Sequence, residues 1–122
     1  MTEKRNTRHF DLEERTLVFA KRCREFIKLL SKTLTNIEDC SQLTKSSGSV
    51  GANYIEANEA LSKKDFLYRI KICRKEAKES RCFLKLVDMG EDNTLEKENA
   101  GLIQEATELM KIFGAIITKS GE

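Results

Sequence analysis

None of the 122 residues is proline, which removes the strongest interruption a helix can meet. The apolar pattern uses that freedom. Leu12, Phe19, Cys23, Phe26 and Leu30 recur with Ala20, Ile27 and Leu34 beside them. This is the 3.6-residue period of a helix with one buried face, and it predicts a first helix from about residue 10 to 33. Asn36 is placed to cap a second helix, with Asp39 at its third position and an end near Ala60. Ser62 followed by Asp65 resembles a capping box and opens a third helix running to Met89, where Gly90 supplies the C′ stop. Asn93 with Glu96 marks the fourth start. Leu102, Ile103, Ala106, Leu109, Met110, Phe113, Ile116 and Ile117 form its apolar stripe.

The predicted connections are short, and short links make sequential helices antiparallel neighbours. The expected architecture is therefore all-α, an antiparallel up-down-up-down four-helix bundle. The length suits one domain. Residues 1–9 read as a flexible N-terminal segment and residues 10–119 as the bundle, with Ser120–Glu122 unordered. Charged residues make up 34% of the chain and hydrophobic ones 39%, a balance that fits amphipathic helices exposed along one side. No apolar run approaches the roughly 18–20 residues of a membrane span, and the polar N-terminus lacks a signal-peptide core. A cytoplasmic protein without a membrane partner is expected.

The stretch Gln42–Asn58 is unusual for a helix interior. Ser46, Ser47, Gly48, Ser49, Gly51 and Ala52 are crowded into its middle, although each interior glycine costs about 1 kcal/mol against alanine. Small residues at i and i+4, Ser47 with Gly51 and Gly48 with Ala52, let another helix backbone come close. They are expected to be helix-packing positions.

Charge is distributed unevenly. Residues 1–90 carry a net +6 and residues 91–122 a net −4, so a basic surface and an acidic fourth helix are expected. On a helical wheel Lys64, Lys71, Arg74, Lys75, Lys78, Arg81 and Lys85 fall within an arc of roughly 120°, extended over about 30 Å of the third helix. Phe66, Ile70, Cys73, Ala77, Phe83, Leu84 and Val87 take the opposite side, while Leu67 and Cys82 fall inside the basic arc. Such a stripe is open to three readings: a solvated exterior, a surface for nucleic-acid phosphates, or a contact with an acidic surface of another subunit or protein. Like charges at these spacings repel, and phosphate binding with counterion release relieves that repulsion. The phenylalanines all sit in apolar stripes. Binding to RNA or DNA is thus expected to read phosphate and shape, with little reading of bases.

No catalytic or cofactor pattern is present. His9 is the sole histidine, and no Gly-rich phosphate loop, H-E-x-x-H or E-x-x-H pattern occurs. The expectation is a non-enzyme without cofactor or metal. Cys23, Cys40, Cys73 and Cys82 form no C-x-x-C pair and read as small buried hydrophobes, with Cys82 the exception because its helical position is polar. Arg69 falls within the apolar arc of the third helix, and a buried arginine needs a partner. Glu56 is the candidate, in a pair that fixes helix register.

Several of these segments together resemble a bacterial four-helix-bundle family, the 23S rRNA-intervening sequence protein family. They are Gln42 opening a helix, its small-residue middle, the exit Ala52-Asn53-Tyr54-Ile55-Glu56-Ala57-Asn58, Ser62-Lys63-Lys64-Asp65-Phe66 and Lys75-Glu76-Ala77-Lys78-Glu79-Ser80-Arg81. The likeness covers about residues 10–118. It implies a homopentamer with the bundles arranged as a barrel around a central opening, and the small-residue helix near subunit contacts. Relatives include an accessory protein of diversity-generating retroelements that binds nucleic acid and a reverse transcriptase; this chain is more similar to the rRNA-intervening-sequence branch. Two departures stand out. The family commonly has two arginines shortly after the glutamine, where this chain has Leu43-Thr44-Lys45-Ser46-Ser47, and often a glycine after the glutamate, where this chain has Ala57.

Overall fold

The computed structural model describes the backbone of residues 2–121 and the side chains of residues 12–121. Four helices account for nearly all of it: α1 (Thr2–Leu29), α2 (Leu34–Asn58), α3 (Lys63–Leu86) and α4 (Asn93–Lys119). Among the described residues there is no strand. Each helix packs on its neighbours in sequence and α4 closes on α1, while the diagonal pairs stay apart. The cross-links run in opposite directions along each seam, as Asn36–Asp88 and Asn53–Arg69 do between α2 and α3. This is the up-down-up-down bundle that short links dictate.

The core consists of the stripes that the period marks out. Phe19, Cys23 and Phe26 of α1 meet Leu43 and Val50 of α2, Ile70, Cys73 and Leu84 of α3, and Leu102, Leu109 and Phe113 of α4, all at most 1% exposed. Each such large side chain contributes about 1.5–3 kcal/mol of transfer free energy. The Tyr54 ring joins them, tilted against Phe113 with centroids 6.1 Å apart. Cys23 and Cys73 are buried, and burial pushes each thiol up to about 12. Both therefore behave as small hydrophobes at neutral pH. Cys40 is half-buried and Cys82 exposed. Phe66 and Phe83 are only partly buried, packed against the edge of the core.

Several boundaries differ from expectation for identifiable reasons. α1 ends at Leu29 because Thr33, not Asn36, caps α2; its side chain accepts from the Asn36 N–H at 3.2 Å. Asn36 is instead 2% exposed, and its side chain reaches the end of α3. Its Nδ2 donates to the Asp88 carbonyl and its Oδ1 accepts from the Asp88 N–H, both at 2.9 Å. That pairing takes the backbone of Asp88 out of the helix. α3 therefore stops at Leu86, with Val87 extended, rather than running to Met89. Asn99 of α4 secures the same end, its Nδ2 donating to the Leu84 carbonyl at 2.8 Å. Gly90 does take the left-handed conformation, φ +63°, but in the turn beyond the helix end. There its N–H donates to Asp88 Oδ1. Ser62 caps α3 as expected, accepting from the Asp65 N–H at 3.1 Å. The cap of α4 is Asp92, one residue before Asn93.

α1 begins at Thr2, ahead of the expected start near residue 10. The side chains of residues 1–11, His9 and Phe10 among them, lie outside the described residues, and so does the expected flexibility of segment 1–9.

Candidate nucleic-acid interface

Leu67 apart, the buried positions of α3 repeat every seven residues. Ile70, Ala77 and Leu84 form one series and Cys73 and Ser80 the other, which Val87 continues just past the helix end, all buried. A seven-residue repeat of this kind is how a helix keeps one seam toward its bundle neighbours. Lys64, Lys71, Lys78 and Lys85 are a parallel series on the far side, and all four are exposed. The residues between, Leu67, Arg74 and Arg81, are a third series leaning toward α4. Leu67 is 7% exposed, so it belongs to the edge of the core and not to the basic arc. Arg81 is half-buried and donates from Nη1 to Thr107 Oγ1 at 3.1 Å. The Arg74 guanidinium lies over Gly114, where an added Cβ would be 4.0 Å from Nη1.

Among the described residues, none of Lys64, Arg74, Lys78, Arg81 and Lys85 pairs with a carboxylate. Lys75 has Glu76 beside it. Partial desolvation raises the Glu76 carboxyl, repulsion from Glu79 raises it further, and Lys75 opposes both. The fourth helix, whose four glutamates are set against three lysines, packs against α3, yet two of its carboxylates turn to its other neighbour. Arg15 of α1 grips Glu105 with two bonds, Nε to Oε2 at 2.7 Å and Nη2 to Oε1 at 3.0 Å. One heptad on, Arg22 Nε reaches Glu98 Oε2 at 3.3 Å. Gly101 lies between those two glutamates on α4, and an added Cβ there would come within 3.3 Å of the Arg22 guanidinium.

The expected Glu56–Arg69 pair is corrected by the geometry. Arg69 is half-buried, and its Nη1 donates to Asn53 Oδ1 at 2.9 Å. An amide oxygen one turn before Glu56 takes the guanidinium, while Glu56 is exposed on the rim of the same cleft. Of the small-residue positions, Ser46, Ser47 and Gly51 pack, each on a different partner, while Gly48 and Ala52 do not. Ser46 Oγ sits 2.9 Å from Ser80 Oγ across the α2–α3 seam, and the buried Ser47 donates from Oγ to the Thr44 carbonyl at 3.4 Å. At Gly51 α1 comes close: an added Cβ would lie 2.9 Å from Thr16 Oγ1 and 3.3 Å from Thr16 Cβ. Gly48 faces only the tip of Arg24, and Ala52 is exposed. Together Gly48, Gly51 and Ala52 floor a groove of about 870 Å³ between α1 and α2. Leu17 and Ile55, 49% and 52% exposed, stand on its walls.

Periodicity overlooked two residues. Lys63 in the first turn of α3 and Tyr68 one turn later, 61% exposed, share a recess with Lys64 and Lys71. The adjacent lysines of Ser62-Lys63-Lys64 and the four-residue step from Lys64 to Tyr68 were the available signal.

The sequence profile of a family described as 23S rRNA-intervening sequence protein matches residues 8–115. The chain belongs to that family. It is also similar to a crystal structure of a protein of unknown function from the S23 ribosomal protein family of Bacteroides thetaiotaomicron VPI-5482. The two are 29% identical and superpose with a TM-score of 0.75, over 87% of this chain and 97% of that one. No protein with a curated description matches. In this family member the segment after the α2 glutamine leaves Lys45 exposed and sinks Ser46 and Ser47 into the bundle.

Among the described residues there is no cluster of His, Cys, Asp or Glu able to hold a metal ion. Nor is any helix among them long and apolar enough to cross a membrane.

Proposed function

We propose that this protein is a non-enzymatic, self-associating helical bundle that binds the phosphate backbone of RNA or DNA along the exposed face of α3. One observation carries the reading: the α4 carboxylates Glu98 and Glu105 engage Arg22 and Arg15 of α1, and among the described residues Lys64, Arg74, Lys78, Arg81 and Lys85 of α3 meet no carboxylate. A row of like charges about 30 Å long strains its own helix and gains when polyanion counterions are released. The groove between α1 and α2 supports self-association. Its small floor and exposed Leu17 and Ile55 offer apolar surface to another copy. The family resemblance sets the expected number of copies at five.

The test is binding of labelled structured RNA and duplex DNA across a salt series, with sedimentation of the free protein alongside. A log–log slope of about −4 or steeper on duplex DNA corresponds to roughly five phosphate contacts at about 0.9 each. Absence of binding at low salt overturns the nucleic-acid reading and returns α3 to a solvated surface or one that meets an acidic protein. A monomer at all concentrations overturns self-association.

A further inference from the structure

We infer that the recess between the start of α3 and the end of α4 receives one nucleotide of a single strand, with its base stacked on Tyr68 and its phosphate held by Lys63, Lys64 and Lys71. This deepens the proposed function and rests on it. The recess is open to solvent and has a volume of about 660 Å³, inside the roughly 300–1,000 Å³ range of small-molecule sites. Its lining combines two chemistries in one place. Leu67 gives an apolar floor and Tyr68 an aromatic wall, while Lys63, Lys64 and Lys71 bring three ammonium groups to the mouth.

The arrangement suits a nucleotide better than a bare anion. Lys63 and Lys64 occupy the first turn of α3, where the helix already presents unpaired N–H groups and a positive dipole end. Cations there are opposed by the helix and favoured by a phosphate. A bare anion would have no use for the exposed tyrosine ring. Arg69 lies against that ring, Cζ 5.8 Å from its centroid, and Asn53 holds the guanidinium from behind. Tyr68 is thus braced by its neighbour while 61% of its surface remains open. Gly121, at φ +94°, closes the α4 side without a side chain, and Lys63 Nζ comes within 3.8 Å of where its Cβ would be.

Position selects the kind of strand. Lys64 and Lys71 line the recess and also begin the lysine series of α3, so a chain whose phosphates follow the stripe enters the recess at its end. Only an unpaired nucleotide can turn its base onto the ring, because a duplex keeps both faces of each base stacked.

Intrinsic fluorescence tests this directly. The chain has two tyrosines and no tryptophan, and Tyr54 is 5% exposed, so quenching by a stacked base reports on Tyr68. The probe is a 5′-phosphorylated single-stranded RNA decamer, with a blunt RNA duplex as comparison. The expected result is quenching by the single strand, and a loss of about 5- to 150-fold in its affinity in Tyr68→Ala, the range of one stacked base. Tyr68→Phe is expected to bind as the parent does. Circular dichroism confirms that each variant is folded.

Lys78→Glu with Lys85→Glu, both outside the recess, separates this idea from the broader one. If that double variant weakens both probes while Tyr68→Ala changes neither, the stripe stands and the recess is refuted. If Tyr68→Ala weakens the single strand while the double variant binds normally, the recess stands and the stripe reading is refuted. If neither probe binds the parent protein, both are refuted.

Discussion

α1 and α3 both carry rows of basic residues, and the bundle treats them oppositely. In α1, Arg15 and Arg22 are engaged by Glu105 and Glu98 one heptad apart. Thr16, between them on the helix, is pressed into the space above Gly51. In α3 the lysines face outward, and two arginines rest on Thr107 and Gly114 of α4 without meeting a carboxylate. Formal charge does not distinguish these rows; the neighbouring helix does. A planar guanidinium matches a carboxylate fork and can be drawn into a seam. Lys64, Lys78 and Lys85 on the outer face meet no such recipient among the described residues.

The largest effect that would sharpen this contrast is charge reversal. Changing Lys71, Arg74, Lys78 and Arg81 to Glu should weaken nucleic-acid binding by about 100-fold or more near 0.1 M salt, since several phosphate contacts are lost together. Arg15→Glu with Arg22→Glu should leave that affinity within about threefold while lowering the thermal midpoint. Equal losses in the two variants would mean that the rows are not functionally different, and loss of assembly in the first would assign α3 to a subunit contact.

Next comes the clamp on α1. Gly51→Ala should destabilise by about 1–3 kcal/mol in urea unfolding despite the better helix propensity of alanine, because the new Cβ meets the base of the Thr16 side chain. A neutral result would show that α1 is free to shift. Glu105→Gln is expected to cost about 1 kcal/mol or less, and less still in high salt, since Arg15 remains 32% exposed. Smallest is Gly114→Ala beneath Arg74. Its Cβ finds ordinary contact distance at 4.0 Å, so helix propensity should prevail, with a gain of up to about 1 kcal/mol and unchanged RNA binding. A loss of binding there would reveal that Arg74 depends on its glycine seat.

The helical stripes and the Ser62 cap were legible because each is local: a period of 3.6, or one hydroxyl three residues before its N–H. Asn36 was misread as a cap because cap grammar applies equally well to Thr33. What decided between them was Asp88, 52 residues away. Leu67 looked like part of the basic arc because it shares a helical face with Arg74 and Arg81; the end of α4, which only the fold brings beside it, is what sets it apart. Arg69 was expected to seek a charge, but the position that faces it belongs to the Asn53 amide. The stripe itself was visible in the sequence. That α4 would turn two of its carboxylates toward α1 was not, since it depends on helix order around the bundle. Nor was it visible that Tyr68 and Lys63 share a recess, because a recess formed by two helix ends has no period.

The two asparagines at the end of α3 have a consequence for how this domain unfolds. Asn36 holds Asp88 from α2, and Asn99 holds Leu84 from α4, so a single helix terminus is tied to the hairpin before it and the hairpin after it. Releasing α4 leaves the buried Leu84 carbonyl without Asn99, and releasing α2 strips the part-buried backbone of Asp88 of both its bonds to Asn36. Fraying of this end is therefore coupled to the separation of the two halves. In amide exchange, the last turn of α3 should open only with the whole molecule, as one cooperative unit.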